Sequence, residues 1–162
     1  GGSPIKVNKT YHLYASLNLF GSVETWPNSS VIVHATSNSA AGPYKQESII
    51  LGPRPNFFDG DALQNPMAII LHDGTIALYY IGMTCRMSNF GYNSADCEDS
   101  ANSSIGVAHA PSPYGPWTRL DHPILSSMLP INHEGDALAN PTAYQEDDGS
   151  ILIAFQIGRA HV

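Results

Sequence analysis

The sequence predicts an all-β chain, a set of repeated four-stranded units of the β-propeller kind, on three observations. First, one stretch is written twice, 75 positions apart: Asp59-Gly60-Asp61-Ala62-Leu63-Gln64-Asn65-Pro66 returns as Glu134-Gly135-Asp136-Ala137-Leu138-Ala139-Asn140-Pro141, and Asp73-Gly74-Thr75-Ile76 returns as Asp148-Gly149-Ser150-Ile151. Second, the flanks repeat too, His34-Ala35-Thr36-Ser37 with His109-Ala110-Pro111-Ser112 and Gly42-Pro43-Tyr44 with Gly115-Pro116-Trp117. Third, the period is made of short apolar runs between turn residues, without a sustained helical stripe. A unit of this length is one supersecondary element that buries its face only against a neighbour. Four-stranded sheets repeated radially are propeller blades, and a propeller has about four to eight of them.

In chain order, the first period supplies strands over Thr10 to Leu17, Val31 to Ala35 and Ser48 to Leu51, with its opening strand expected to lie ahead of Gly1. The second period is complete. Asn65 to His72 is apolar and extended, and Asp73-Gly74 is the strongest short hairpin signal. Thr75 to Met83 follows, with Ile76, Leu78 and Tyr80 on one face and Ala77, Tyr79 and Ile81 on the other. Both faces therefore expect cover, as in a sheet packed between two others. Ser104 to Ala110 is the third strand, Gly115-Pro116 turns the chain, and Thr118 to Leu125 is a shorter, more polar outer strand. The last copy has two strands, Pro141 to Glu146 and Ile151 to Phe155. The chain thus reads as a blade remnant over about 4–52, a full blade over about 61–126 and the start of another over about 136–156, an internal piece of a longer propeller. Alone, such a piece is expected to be unstable, because a broken last blade leaves strand edges unpaired. Ile157-Gly158-Arg159-Ala160-His161-Val162 is what a common sequencing adapter, ATCGGAAGAGCACACGTC, encodes in one frame, so 157–162 is read as a scar and set aside.

Only 13% of the residues are charged and the net charge is −7, with no basic stripe to neutralise phosphates, which argues against nucleic acid as a partner. No apolar run approaches the length of a membrane span, so no membrane partner is expected. Cys85 and Cys97 flank a polar segment between the second and third strands of the full blade. In an oxidising compartment a disulfide there would close the loop and stabilise it by about 3 kcal/mol. Two cysteines without a Cys-x-x-Cys spacing do not suggest a metal site, and no metal or other cofactor is called for; a calcium ion in a channel is not indicated. Three glycosylation triplets, Asn8-Lys9-Thr10, Asn28-Ser29-Ser30 and Asn102-Ser103-Ser104, together with the cysteine pair and few lysines, point to a secreted glycoprotein.

In a propeller the innermost strands line a central channel, and polar residues at their starts face a shared pocket. The repeated residues fall there: Asp61, Asn65, Asp136 and Asn140, preceded by Asp59 and Glu134, with His133 beside Glu134. Carboxylates gathered in a funnel raise one another's pKa, which lets a general acid and a general base coexist near neutral pH. Glycoside hydrolysis needs such a pair. Asp-Gly and Asn-Pro are also turn formers, so the motif equally suits an inter-blade crossover repeated because the geometry repeats. Asp73 and Asp148 are read as hairpin residues, Tyr44 and Trp117 as turn-covering aromatics, and His34 and His109 as structural.

The Asn-Pro strand with its Asp-Gly hairpin and Tyr-rich partner (Asn65 to Gly82), followed by Ser-Ile-Gly-Val-Ala-His-Ala-Pro-Ser-Pro-Tyr-Gly-Pro-Trp (Ser104 to Trp117), resembles glycoside hydrolase family 43 over nearly all of Thr10 to Gln156. The resemblance implies a five-bladed propeller and an inverting hydrolase of plant or algal polysaccharides. It also implies a general-base Asp, a pKa-modulating Asp and a general-acid Glu near the starts of innermost strands, often with the acid directly before Pro. Here Asn65 and Asn140 stand before Pro. An amide exchanges no proton, so these two suit sugar hydroxyls better than acid–base work. The expected roles are therefore Asp61, Asp136 and Glu134 for catalysis, with Glu134 the proton donor, and Asn65, Asn140, Asp59 and His133 for holding a carbohydrate substrate. The alternative is a carbohydrate-binding propeller without catalysis.

Overall fold

Short apolar runs bounded by Asp-Gly, Asn-Lys and Gly-Pro turns fold as eleven strands in the computed structural model, which describes residues 2–20, 29–84, 102–126 and 136–159. β1 (Ile5–Val7), β2 (Thr10–Asn18), β3 (Ser30–Ser37) and β4 (Lys45–Leu51) form one antiparallel sheet in that order. β5 (Ala62–Ile70), β6 (Ile76–Thr84), β7 (Asn102–Ala110) and β8 (Thr118–Arg119) form the next, with β9 (Leu125–Ser126) also paired to β7. β10 (Asp136–Gln145) and β11 (Ile151–Arg159) pair as the third.

Two expectations need correction. The first sheet does have an opening strand: β1 pairs with β2 from Ile5↔His12 to Val7↔Thr10 across the two-residue turn Asn8-Lys9. Three residues are too few for a periodic signal. The single outer strand expected over Thr118 to Leu125 is instead two fragments, β8 opposite Ala108 and His109 and β9 opposite Ser104 and Ile105. Pro123 lies between them and cannot donate to a ladder. β11 runs on through 157–159, where Arg159 stands opposite Asp136.

The turns follow their chemistry. Gly74 and Gly149 take φ of 84° and 87°. Asp73 Oδ1 accepts from the Thr75 hydroxyl and amide, and Asp148 Oδ1 accepts from the Ser150 amide. These bonds hold both exposed carboxyls below the usual carboxylate range, that of Asp73 chiefly through the Thr75 side chain and that of Asp148 chiefly through Ser150. Both are hairpin residues. The Gly42-Pro43 and Gly115-Pro116 bonds are cis; Tyr44 covers its turn by donating to Ala40 O, and Trp117 packs edge-on to Tyr14 at 5.6 Å.

β6 is covered on both faces. Ile76, Leu78 and Tyr80 join Tyr14, Ile32 and Leu51 in the core between the first and second sheets. Ala77 and Tyr79 face Val107 and Ala143 between the second and third, and Ile81 joins Ala62 and Met83 beside Ala139. Full burial of side chains this size contributes roughly 1.5–3 kcal/mol each, so the interfaces between sheets carry much of the stability. Phe58 reaches across this core onto bare backbone: a Cβ added to Gly106 would lie 2.5 Å from its ring, and one added to Gly82 2.7 Å from it. Among the described residues no helix is long and apolar enough to cross a membrane.

Candidate carbohydrate site at the innermost strands

The site begins with Asn-Pro. A proline in a strand donates nothing to the ladder, and the pairing of β5 with β6 and of β10 with β11 shifts register there, between Gln64 and Met67 and between Ala139 and Thr142. The residue before each proline, Asn65 or Asn140, takes the left-handed backbone at φ 47° and 48°, which asparagine tolerates better than most side chains. The bulge re-aims both amides, and they meet. Asn65 Nδ2 donates to Asn140 Oδ1 at 2.8 Å, and Asn140 Nδ2 donates to Gln156 Oε1 at 2.8 Å. The Asn65 backbone amide donates to Ser16 Oγ at 2.9 Å. One chain of hydrogen bonds therefore links β2, β5, β10 and β11, with Ser16, Asn140 and Gln156 exposed.

Asp61 stands directly before β5, partly exposed, its amide donating to Met83 O at 3.0 Å. Asp136 opens β10. The two aspartates thus hold the same place, four residues ahead of two asparagines in mutual contact. Oxygens and amide hydrogens of the asparagine pair can bind hydroxyls, whereas proton exchange at this rim requires a carboxylate. The side chain of Asp136, and His133, Glu134, Cys85 and Cys97 altogether, lie outside the described residues. Among the described residues no group of three or more His, Cys, Asp or Glu is gathered to hold a metal ion.

Asp59 is a correction. Expected at the channel, it is fully buried beneath the crossover from β4 to β5. Its Oδ1 accepts from Arg54 Nε at 3.0 Å, and its Oδ2 accepts from Arg119 Nη1 at 3.0 Å and from the Tyr80 hydroxyl at 2.9 Å. Arg54 also donates to Asp121 Oδ1 and Leu120 O, and Arg119 to Gly52 O. A carboxylate enclosed this way ties the crossover to β6 and β8 and has no face left for a sugar. Beside this charge, burial pushes the Tyr80 hydroxyl far above its ordinary value. The sequence marked Asp59 as repeated but not its partners, because Arg119 is 60 positions away.

A second cluster went unread in the sequence. His12 Nδ1 and His34 Nε2 share a hydrogen bond of 2.9 Å with both rings buried. The His34 ring stacks on Tyr14 as well as on His12, and Tyr114 stands edge-on to both histidines. Desolvation first, and the neighbouring His12 second, lower the His34 pKa to about 4, although Glu47 opposes this. Burial lowers His12 too. Both rings are neutral at pH 7. His34 is structural, as expected; its repeat counterpart His109 is exposed. Ser16 and Gln156 were missed because neither repeats at the 75-residue spacing.

No family model matches the chain, and no curated protein matches it in sequence. Solved structures do match in shape. A family 117 glycoside hydrolase of the marine bacterium Zobellia galactanivorans superposes with a TM-score of 0.62 at 20% identity, over 97% of this chain and 51% of its own. A family 43 β-xylosidase/α-arabinofuranosidase from a compost microbial metagenome, solved with xylotriose, gives 0.60 at 19% identity over 94% and 41%. An exo-β-1,3-galactanase of Phanerochaete chrysosporium, solved with β-1,3-galactotriose, gives 0.59 at 15% identity over 96% and 32%. The fold is that of the five-bladed β-propeller glycoside hydrolases. The chain spans about half or less of the length of these propellers.

Proposed function

We propose that the chain is part of a glycoside hydrolase that cleaves O-glycosyl bonds of a plant or algal polysaccharide with inversion, by single displacement through water. The observation that carries this reading is the 2.8 Å contact between Asn65 and Asn140. It brings β5 and β10 together at the level of their repeated polar motif, which supports reading Asp61 and Asp136 as carboxylates of one site. In this reading Asp61 and Asp136 are the channel carboxylates, Glu134 is the proton donor, and Asn65 and Asn140, with His133, orient sugar hydroxyls. Inversion calls for working carboxyls about 6.5–9.5 Å apart, with a water between one of them and the anomeric carbon. A polymeric substrate calls for a secreted enzyme, and the glycosylation triplets and the cysteine pair agree with that.

The test is to assay the complete propeller on aryl glycosides and polysaccharides while following the anomer released by NMR. Inverted product is expected, and Glu134→Gln should lower turnover by about 10²–10⁴-fold while the fold persists. Near-normal turnover in that variant would remove Glu134 from the mechanism. A second reading, a carbohydrate-binding propeller without catalysis, is favoured by the neutral amides at both Pro-adjacent positions. It expects sugar binding by the complete propeller with no hydrolysis.

A further inference from the structure

The three Asn-x-Ser/Thr triplets differ in where they stand. Asn102 lies within β7 opposite Thr84, and both of its serines are buried, Ser103 Oγ accepting from the Leu138 amide at 2.7 Å. Ser29 and Ser30 are likewise buried at the start of β3. Asn8-Lys9-Thr10 is instead the exposed turn between β1 and β2, with Asn8 at φ 55°.

Asn8 stands at the mouth of a cleft of about 340 Å³ between the first two blades, a volume at the low end of small-ligand sites, about 300–1,000 Å³. Thr10, His12, Ile76, Pro113 and Tyr114 also line it, and no Lys, Arg, Asp or Glu does. Tyr114 is 64% exposed, yet its ring is fixed, edge-on to His12 at 5.3 Å and to His34 at 5.1 Å. Tyr14 anchors the same segment by donating to Pro113 O at 3.0 Å. A rigid exposed aromatic beside neutral polar groups suits an uncharged sugar ring, whose apolar face stacks while its hydroxyls find acceptors and donors.

We propose that Asn8 is a site of N-linked glycosylation and that the first sugar of the glycan lies in this cleft against Tyr114. In the attachment step Asn8 Nδ2 displaces polyprenyl diphosphate from C1 of a polyprenyl-diphosphate-linked oligosaccharide. The N–C1 bond forms, the C1–O bond breaks, and the amide proton passes to a base of the transferase. The occupant is thus covalently held by the cleft's own rim, and the proposal does not depend on hydrolysis at the channel.

The test directs the complete propeller into the secretory pathway of a eukaryotic cell behind a cleavable leader. Sites are mapped on all translocated protein by enzymatic glycan release in heavy-oxygen water and mass spectrometry, so the reading does not depend on successful folding. Asn8 should carry the label, and Asn8→Gln should lose it. Glycosylated protein should melt about 3 °C above protein trimmed with the releasing enzyme, and Tyr114→Ala should abolish that difference while leaving Asn8 occupied. An unlabelled Asn8 overturns the site. An occupied Asn8 whose thermal difference survives in Tyr114→Ala overturns the placement of the sugar.

Discussion

Replacing Asp59 by Asn separates a structural carboxylate from a substrate-binding one. The change removes the charge that Arg54 and Arg119 share and leaves two guanidinium groups only 19% and 16% exposed facing a neutral amide. Breaking a buried ion pair from one side costs about 3–5 kcal/mol. Here the lower end applies, because Arg54 keeps Asp121 and Leu120 O, and Arg119 keeps Gly52 O. With a urea m-value of about 2 kcal/mol/M, a loss of about 3 kcal/mol moves the unfolding midpoint down by about 1.5 M. Trp117, which packs against the core between the first two blades, reports the transition by fluorescence. Tyr80→Phe deletes one hydrogen bond to the same carboxylate and should cost about 1.5 kcal/mol, or about 0.7 M. Asp59→Asn and Tyr80→Phe combined should cost less than the sum, since both act on one network. A midpoint within about 0.3 M of the unaltered protein in Asp59→Asn, together with weakened sugar binding, would return Asp59 to the channel.

Three further outcomes follow from the same geometry. Gly106→Ala sets a Cβ 2.5 Å from Phe58 and 2.8 Å from the Tyr80 ring, so it should lower stability by about 2–3 kcal/mol and the melting midpoint by about 6–8 °C; an unchanged melting curve would mean that Phe58 has room to move. Asn65→Gly removes the bridge to Asn140 and keeps the backbone, whereas Asn65→Ala also puts a β-carbon at φ 47°, about 1–2 kcal/mol worse; thermal melts ranking alanine at or above glycine would contradict the left-handed assignment. His34 binds its proton at about pH 4 in the folded protein and near pH 6.5 when unfolded, so its contribution is full above pH 6.5 and is lost as pH falls from 6.5 through 4. Urea unfolding at pH 5 should therefore show about 2 kcal/mol less stability than at pH 7, and His34→Phe should flatten that slope.

The fold was legible because its signals are local. The Asp-Gly hairpins and the two faces of β6 follow from residues within ten positions of one another, and the repeat supplied the higher order. The site was legible only where the repeat passed through it. Asn65 and Asn140 were found together because both copies carry Asn-Pro, and the bulge that makes them meet is what proline and a left-handed asparagine do to a strand. Ser16 and Gln156 carry no such mark, being ordinary polar residues whose partners are set by register across blades. The two histidines were invisible as a pair, since His12 and His34 adjoin only once β2 and β3 have paired.

The repeat also distinguishes two carboxylates that it aligns. Asp59 and Glu134 occupy the same place in successive copies, and Asp59 is spent on its blade: Arg54, Arg119 and Tyr80 hold both of its oxygens. Seventy-five positions on, two of the three partners are not repeated. Phe155 stands where Tyr80 stood, without a hydroxyl, and Leu129 stands where Arg54 stood, without a charge. An acid retained where two of these partners have been replaced by apolar side chains has lost part of the reason that kept Asp59 there. Charge kept after such partners have gone is the pattern expected of a group held for chemistry. The two aligned acids should therefore respond oppositely to amide substitution. Asp59→Asn should cost stability, and any loss of turnover should track loss of fold; Glu134→Gln should spare stability and cost turnover.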